Sequence, residues 1–92
     1  MTTRECVIRN RLGLHARAAA KFVHLATRFT SHIRVSREDK TMDGKSIMGI
    51  LLLAAGAGAS VVITADGADE TDAVEALCRL VEGGLGEELW NA

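Results

Sequence analysis

The sequence predicts a small α+β domain whose elements follow in the order βαββαβα. Two observations predict this class. Short β-branched or alternating segments are separated by stretches of helical periodicity, and Gly-rich or polar clusters mark the boundaries between them. A chain of 92 residues, 48% of them hydrophobic and without internal repeats or prolines, has enough apolar surface for one modest core. We therefore expect a single domain over residues 1–92.

The first half of the chain contains three predicted strands and one long helix. Residues 5–9 are predicted to form a first strand, followed by a loop over residues 10–14. Apolar residues then recur with a period of 3.6, which predicts an amphipathic helix over residues 16–29. A second strand is expected at 31–36 and, after a polar turn, a short third strand at 41–43.

The second half contains two predicted helices and one strand. A short helix opens at Ser46 and runs to about Ala54, where a Gly-rich stretch breaks it. A β-branched segment at 60–65 predicts the fourth strand, and the last helix is expected over residues 70–82.

The last helix carries the clearest end signals. Asp69 is the expected N-cap residue, Glu75 and Arg79 stand at i and i+4, and Gly83-Gly84 stops the helix. Residues 85–92 are expected to form a loose end, in which the role of Trp90 is unknown.

Charge and composition exclude several classes of function. With 11 Lys and Arg against 12 Asp and Glu, the chain has no general attraction to nucleic acid or to an anionic membrane. Its start lacks a signal-like apolar region, and the apolar stretch at 47–59 is too short and Gly-rich to cross a bilayer, so a cytoplasmic protein is expected. Cys6 and Cys78 lack metal-ligand spacing and are expected to be small buried hydrophobes, with no metal or cofactor.

The segment Gly13-Leu14-His15-Ala16-Arg17 is the main candidate site, because it lies where the first helix begins. A helix N-terminus presents unpartnered N–H groups and a partial positive charge, so it attracts anions. Ser, Thr, Asp or Asn usually fills this position, but here the polar side chain at the cap is His15.

His15 has the properties of a phosphoryl acceptor. Neutral imidazole is a nucleophile, the helix terminus favours both the neutral ring and a phosphoryl dianion, and Arg17 adds charge-assisted hydrogen bonds. No Asp or Glu is close to His15 in sequence, and Gly44-Lys45-Ser46 lacks the spacing of a P-loop. This favours a carrier acted on by other enzymes over an enzyme, whereas the alternative is an exposed structural cap.

Two surfaces are candidates for partner binding. If Ile50 and Leu53 point into the core, then Ile47, Met48 and Leu51 form an apolar patch, and the alternative is burial of these residues against the last helix. A basic stripe on the first helix is expected to face an acidic partner, and its alternative is an ordinary solvated face. The stripe continues from Arg17 through Lys21, His24 and Arg28.

The chain resembles the HPr family, the histidine-containing phosphocarriers of the bacterial phosphotransferase system (PTS). Residues 13–17 match the phosphohistidine signature of the family, and Lys45-Ser46-Ile47-Met48-Gly49 matches its regulatory-serine signature. Both motifs stand at the expected separation, and the resemblance covers nearly the whole chain.

The resemblance implies an open-faced β-sandwich, in which three helices pack on one face of a four-stranded antiparallel sheet. It also implies a monomeric carrier in sugar transport. His15 would take a phosphoryl group on Nδ1 from phosphorylated Enzyme I and pass it to an Enzyme IIA domain, while Arg17 steadies the phosphoryl oxygens. The family usually has proline after this arginine, whereas this chain has Ala18, which leaves one more free N–H in the first turn.

Ser46 gives the alternative function. In some relatives the matching serine is phosphorylated by HPr kinase/phosphorylase, and the modified protein binds a transcriptional regulator. A phosphate there would add about 1.5 to 2 negative charges beside the apolar patch, whereas the simpler role of Ser46 is an N-cap. The second hypothesis is therefore a regulatory docking protein, of this type or of the nitrogen-branch PTS type. A small-molecule-binding domain is a weaker third option.

Overall fold

This computed structural model describes residues 1–91, which form one four-stranded antiparallel sheet and three helices in the order βαββαβα. The strands are β1 (Thr2–Val7), β2 (His32–Arg37), β3 (Lys40–Asp43) and β4 (Ser60–Asp66). The helices are α1 (Ala16–Ala26), α2 (Ile47–Leu52) and α3 (Glu70–Glu82). The predicted fold class is confirmed.

The sheet has the strand order β1-β4-β2-β3, so β4 and β2 lie in its centre. Along β4, Val61, Ile63 and Ala65 are buried, whereas the residues between them are partly exposed. Because side chains alternate across a strand, this pattern means that one face of the sheet is covered. Helix α3 packs against β1 and β4, and α2 packs against β3, which places the core on that single face.

Several predicted boundaries differ from the observed ones. Strand β1 covers residues 2–7 rather than 5–9, since Thr2, Thr3 and Arg4 pair with β4 through their backbone although their side chains are polar. Helix α1 ends at Ala26 rather than Phe29. The amides of residues 28 and 29 donate to carbonyls three residues back, at 3.1 and 3.2 Å, and this tighter turn ends the helix.

The two cysteines lie in the core, as predicted. Cys6 on β1 and Cys78 on α3 are each only 1% exposed. A hydrogen bond with Cys78, together with burial, raises the pKa of the Cys6 thiol, so this thiol is neutral at physiological pH.

The predicted cap of α3 is wrong in its detail. Asp69 occupies the N-cap position, but its side chain makes no capping hydrogen bond in the described chain. Its carboxylate instead accepts from the backbone N–H groups of Thr30 and Ser31 and from the Ser31 hydroxyl. These bonds lower the pKa of Asp69 to about 2, with the Ser31 hydroxyl as the largest cause. Asp69 therefore ties the loop before β2 to the start of α3.

The segment after α3 is docked, which corrects the prediction of a loose end for residues 85–91; residue 92 lies outside the described residues. Gly84, at φ +90°, donates from its N–H to Val81 O at 3.1 Å, and Leu85 N–H donates to Leu80 O at 3.0 Å. This pair of bonds is a Schellman motif, in which the residue after the glycine packs back on the helix. Leu85 is accordingly fully buried.

The rest of this segment pairs with the loop after β1. Trp90 N–H donates to Arg9 O at 2.6 Å, Arg11 N–H donates to Glu88 O at 2.9 Å, and Asn10 and Leu89 form a β-bridge. The ring of Trp90, about half exposed, covers the backbone at Gly58. These contacts hold the C-terminal segment against the loop that leads into α1.

Candidate functional site

His15 is the N-cap residue of α1, as predicted, with extended backbone angles of φ −77° and ψ 179°. Its N–H donates to Gly13 O at 3.0 Å, and its carbonyl accepts the first helical bond from Ala19 N at 2.8 Å. Its side chain makes no capping hydrogen bond in the described part of the chain. The N–H groups of the first turn, including that of Ala18, therefore remain without intrahelical partners.

Gly13 fixes the loop that presents His15. It has a φ of +69°, and a Cβ there would lie 2.6 Å from the carbonyl oxygen of Ala55 and 2.8 Å from Gly56 Cα. The next residue donates its N–H to the same Ala55 carbonyl at 2.9 Å. Only glycine combines this backbone conformation with so close an approach, so His15 is held at a defined distance from the segment after α2.

The imidazole of His15 contacts a carboxylate that comes from the C-terminal segment. Nε2 of His15 lies 2.8 Å from Oε1 and 2.7 Å from Oε2 of Glu87. The pKa of Glu87 is lowered, first by this bond to His15, against the opposing effect of desolvation, and then by a bond from Asn10. An ionised carboxylate only accepts hydrogen bonds, so Nε2 carries the proton and donates it.

This contact fixes which ring nitrogen can react. When Nε2 of the neutral ring holds the proton, Nδ1 keeps its lone pair. His15 is only partly exposed, with 32% of its side chain accessible, and Glu87 is more buried, at 15%. Glu87 therefore both orients the ring and favours the tautomer with hydrogen on Nε2.

Glu87 is a residue of the candidate site that the sequence does not predict. It lies 72 positions from His15, so a search for acidic neighbours along the sequence could not find it. One signal was present in Gly83-Gly84-Leu85. An apolar residue after the glycine at a helix end indicates a Schellman motif, and it turns the following residues back towards the fold.

A cavity of about 640 Å³ opens beside His15. Three cationic side chains line it, those of Arg11, Arg17 and Lys21, together with Glu87 and Glu88. Arg17 is exposed, whereas Arg11 Nε lies 3.2 Å from Glu88 Oε2 and Lys21 Nζ donates to a backbone carbonyl at 3.0 Å. His15 and Arg17 therefore line one cavity, in which three cationic side chains face two carboxylates.

The predicted apolar patch is observed with one change of membership. Ile50 and Leu53 are fully buried, whereas Ile47 and Met48 are 42% and 67% exposed. Leu51 is only partly exposed because it packs on the core, and Leu52, at 54%, is exposed next to it. The alternative, in which the patch is completely buried against the last helix, is wrong. Helix α2 contacts α1 and β3, and these contacts leave Ile47 and Met48 exposed.

The basic stripe of α1 borders a shallow groove between α1 and α3. His24 and Arg28 are exposed and Lys21 is partly exposed, and all three line this groove with Leu80. Arg28 lies beyond the end of the helix, in the tighter turn that follows it. The stripe therefore continues the positive surface of the His15 cavity.

Ser46 is the N-cap of α2. Its Oγ accepts a hydrogen bond from Gly49 N–H at 3.1 Å, and the residue is partly exposed. It directly precedes Ile47 and Met48, so any change of charge at Ser46 falls beside the apolar patch.

Residues 1–91 hold no group of three His, Cys, Asp or Glu side chains that could bind a metal ion. Over the same range, the helices are too short or too polar to cross a membrane.

The fold and the site define a class of protein: a small α+β domain that presents an oriented histidine at a helix N-terminus, in a cavity lined by three cationic and two acidic side chains. The family model described as "PTS HPr component phosphorylation site" matches residues 2–83. The chain is 47% identical over 87 residues to the phosphocarrier protein HPr of Cupriavidus necator, a match that covers 95% of this chain and 98% of that protein.

Solved structures agree. The structure of HPr-C-His from Thermoanaerobacter tengcongensis has a TM-score of 0.92 at 45% identity and covers 97% of this chain and 100% of that one. A structure of an HPr dimer from the same organism has a TM-score of 0.75 at 46% identity, with 87% and 92% covered. The chain belongs to the HPr family and is a phosphocarrier protein of the PTS, not an enzyme.

Proposed function

We propose that this chain accepts a phosphoryl group on Nδ1 of His15 from phosphorylated Enzyme I and passes it to Enzyme IIA domains of the sugar PTS. The observation that supports this most directly is the contact between His15 Nε2 and the Glu87 carboxylate, at 2.7 Å. It holds the proton on Nε2 and leaves the lone pair of Nδ1 available for attack.

The transfer balances on the residues of this site. Nδ1 attacks the donor's phosphorus, the bond from phosphorus to the donor breaks, and the electron pair of that bond stays with the donor. The ring then carries phosphorus on Nδ1 and hydrogen on Nε2, so it is positively charged. Glu87 stabilises this charge as an ion pair, because its carboxylate already lies against Nε2.

The phosphoryl oxygens are held by the other groups of the site. In this proposal Arg17 donates charge-assisted hydrogen bonds to them, and the unpartnered N–H groups at the start of α1 face the same charge. Ala18 contributes one N–H that a proline could not supply.

Partners dock on the two surfaces that border His15. The apolar patch, whose exposed members are Ile47, Met48 and Leu52, supplies contact area, and its exposed methionine adapts to more than one partner. The basic stripe of Lys21, His24 and Arg28 favours an acidic partner surface. In this proposal the protein works in the cytoplasm as a monomer.

Labelling from phosphoenolpyruvate tests the carrier function. The wild-type chain, incubated with Enzyme I and labelled phosphoenolpyruvate, should acquire an acid-labile phosphate. His15→Ala should acquire none, whereas His32→Ala, which removes an exposed histidine on β2 outside both docking surfaces, should still be labelled on His15. A label that persists in His15→Ala would refute the proposal.

A regulatory role through Ser46 is the second candidate. It is supported by the position of the Ser46 hydroxyl, which caps α2 immediately before the exposed Ile47 and Met48. A phosphate at Ser46 would weaken binding of an acidic partner by repulsion and would create a surface for a transcriptional regulator. Incubation with HPr kinase/phosphorylase and ATP tests it: phosphate should enter the wild type and not Ser46→Ala. If the wild type incorporates no phosphate, Ser46 acts as an N-cap only. A nitrogen-branch PTS partner is then the remaining regulatory alternative.

A further inference from the structure

We propose that Asn10 is a positioning residue for His15, which acts by holding the Glu87 carboxylate against Nε2 of the imidazole. Asn10 lies in the loop between β1 and α1 and is fully buried. The inference rests on the proposed function of His15, and it assigns a role to a side chain that does not itself touch the reacting nitrogen.

The amide nitrogen of Asn10 joins two supports of His15. It donates to Gly13 O at 2.7 Å and to Glu87 Oε1 at 2.9 Å. Gly13 O also accepts the backbone N–H of His15, at 3.0 Å. One amide group thus links the backbone around His15 to the carboxylate that contacts its ring.

The orientation of this amide follows from its partners. Both groups that it faces are oxygen acceptors, so a reversed amide would place Oδ1 against Gly13 O and the Glu87 carboxylate. With Nδ2 in this position, both of its hydrogens are used.

The oxygen end of the Asn10 amide indicates that the side chain is oriented by the bonds of its nitrogen end. Its Oδ1 is buried and has no hydrogen-bond partner within residues 1–91. An unsatisfied buried carbonyl is unfavourable, and such groups are concentrated where another requirement overrides local satisfaction. Here that requirement is the bond from Nδ2 to Glu87.

Asn10 affects both the position and the charge of Glu87. A neutral donor at Oε1 favours the ionised carboxylate, in addition to the larger effect of His15. The ionised form is the stronger acceptor for the Nε2–H group, so losing the Asn10 donor should loosen the imidazole contact and favour proton uptake by Glu87. The groups that face Glu87 are the titratable ring of His15 and the charged side chains of Lys21, Arg11, Arg17 and Glu88.

The first test follows the titration of the Glu87 carboxyl carbon by NMR, with Glu87→Gln used to assign the signal. The midpoint of the Glu87 titration should move up by at least about 0.3 pH units in Asn10→Ala, because the amide donor is lost. It should also move up by at least this amount in Asn10→Ser, because the serine hydroxyl is too short to replace the amide. Leu89→Ala, an exposed change in the same segment, should leave it unmoved. An unmoved midpoint in a folded Asn10 variant would overturn the proposal. So would failure of both variants to fold, since Asn10 would then be required for folding.

The second test measures single-turnover phosphorylation by phosphorylated Enzyme I. Asn10→Ala should slow it by about tenfold, the scale of one lost charge-assisted hydrogen bond, and the effect should vanish in a Glu87→Gln background. An undiminished effect in that background would contradict action through Glu87. If the wild type accepts no phosphate on His15, the proposed function fails, while the Glu87 titration still decides whether Asn10 holds this carboxylate.

Discussion

Leu85→Ala is the sharpest test of the docked C-terminal segment, and with it of the position of Glu87. Leu85 is fully buried in the core, although it follows the glycine that ends α3. Truncating a buried leucine to alanine removes its transfer free energy and leaves a cavity, which together lower the free energy of unfolding by about 2–5 kcal/mol. Leu85 has a φ of +55°, but alanine is no better suited to that conformation, so backbone strain does not offset the loss.

The measurement is urea unfolding followed by circular dichroism. In thermal unfolding of the same variants each kcal/mol shifts Tm by about 4–8 °C for a domain of this size, so a loss of about 2–5 kcal/mol lowers Tm by about 8–40 °C. Leu89→Ala is the matched control, because Leu89 lies in the same segment but is 56% exposed, and it should change stability by less than about 1 kcal/mol. Equal effects of the two substitutions would refute the docking of this segment by Leu85.

Three further predictions concern stability. Ser46→Ala should lower the free energy of unfolding by about 1 kcal/mol in urea denaturation, because it removes the N-cap of α2, whereas Ser46→Asp should retain it; equal losses would argue against a cap. Hydrogen bonds lower the pKa of Asp69 to about 2, so the stability that this carboxylate contributes should be complete above about pH 4 and lost as the pH falls towards 2. When the free energy of unfolding is measured across this pH range, its pH dependence should be weaker in Asp69→Asn. It should be unchanged in Asp72→Asn, because Asp72 is an exposed acid in the same turn. Ala54 has a φ of +52°, so Ala54→Gly should raise the free energy of unfolding by up to about 1 kcal/mol and raise Tm accordingly. Ala20→Gly, inside α1, should lower the free energy of unfolding by a similar amount. A lower Tm for Ala54→Gly would contradict this prediction.

The order of elements could be predicted from the sequence because each element carries its own periodicity and end signals. Helix α3 is the best example: its predicted range of 70–82 is the observed one, and the Glu75–Arg79 pair forms at 2.9 Å. Strand β1 was placed less well because its first residues are polar. They are held by backbone pairing with β4, which leaves no apolar pattern in the sequence.

The residues of the candidate site also fall into two groups, those that local sequence signals predict and those that they do not. His15 and Arg17 could be predicted because a helix start and its missing cap are local features. Glu87 reaches the site through a tertiary contact, from a segment whose preceding glycine pair resembles a chain end, and Asn10, in the loop before His15, is linked to the ring only through Glu87. For the same reason Asp69 was predicted as a cap, whereas its carboxylate is used by a loop that is distant in sequence.

The central claim is that Glu87 holds the proton on Nε2 of His15 and leaves Nδ1 to accept the phosphoryl group. Its most direct test is ¹⁵N and ³¹P NMR of the phosphorylated chain, which identifies the nitrogen bonded to phosphorus. We predict phosphorus on Nδ1 and hydrogen on Nε2, with the Nε2 proton still donated to Glu87. Phosphorus on Nε2, or on a residue other than His15, would contradict the account.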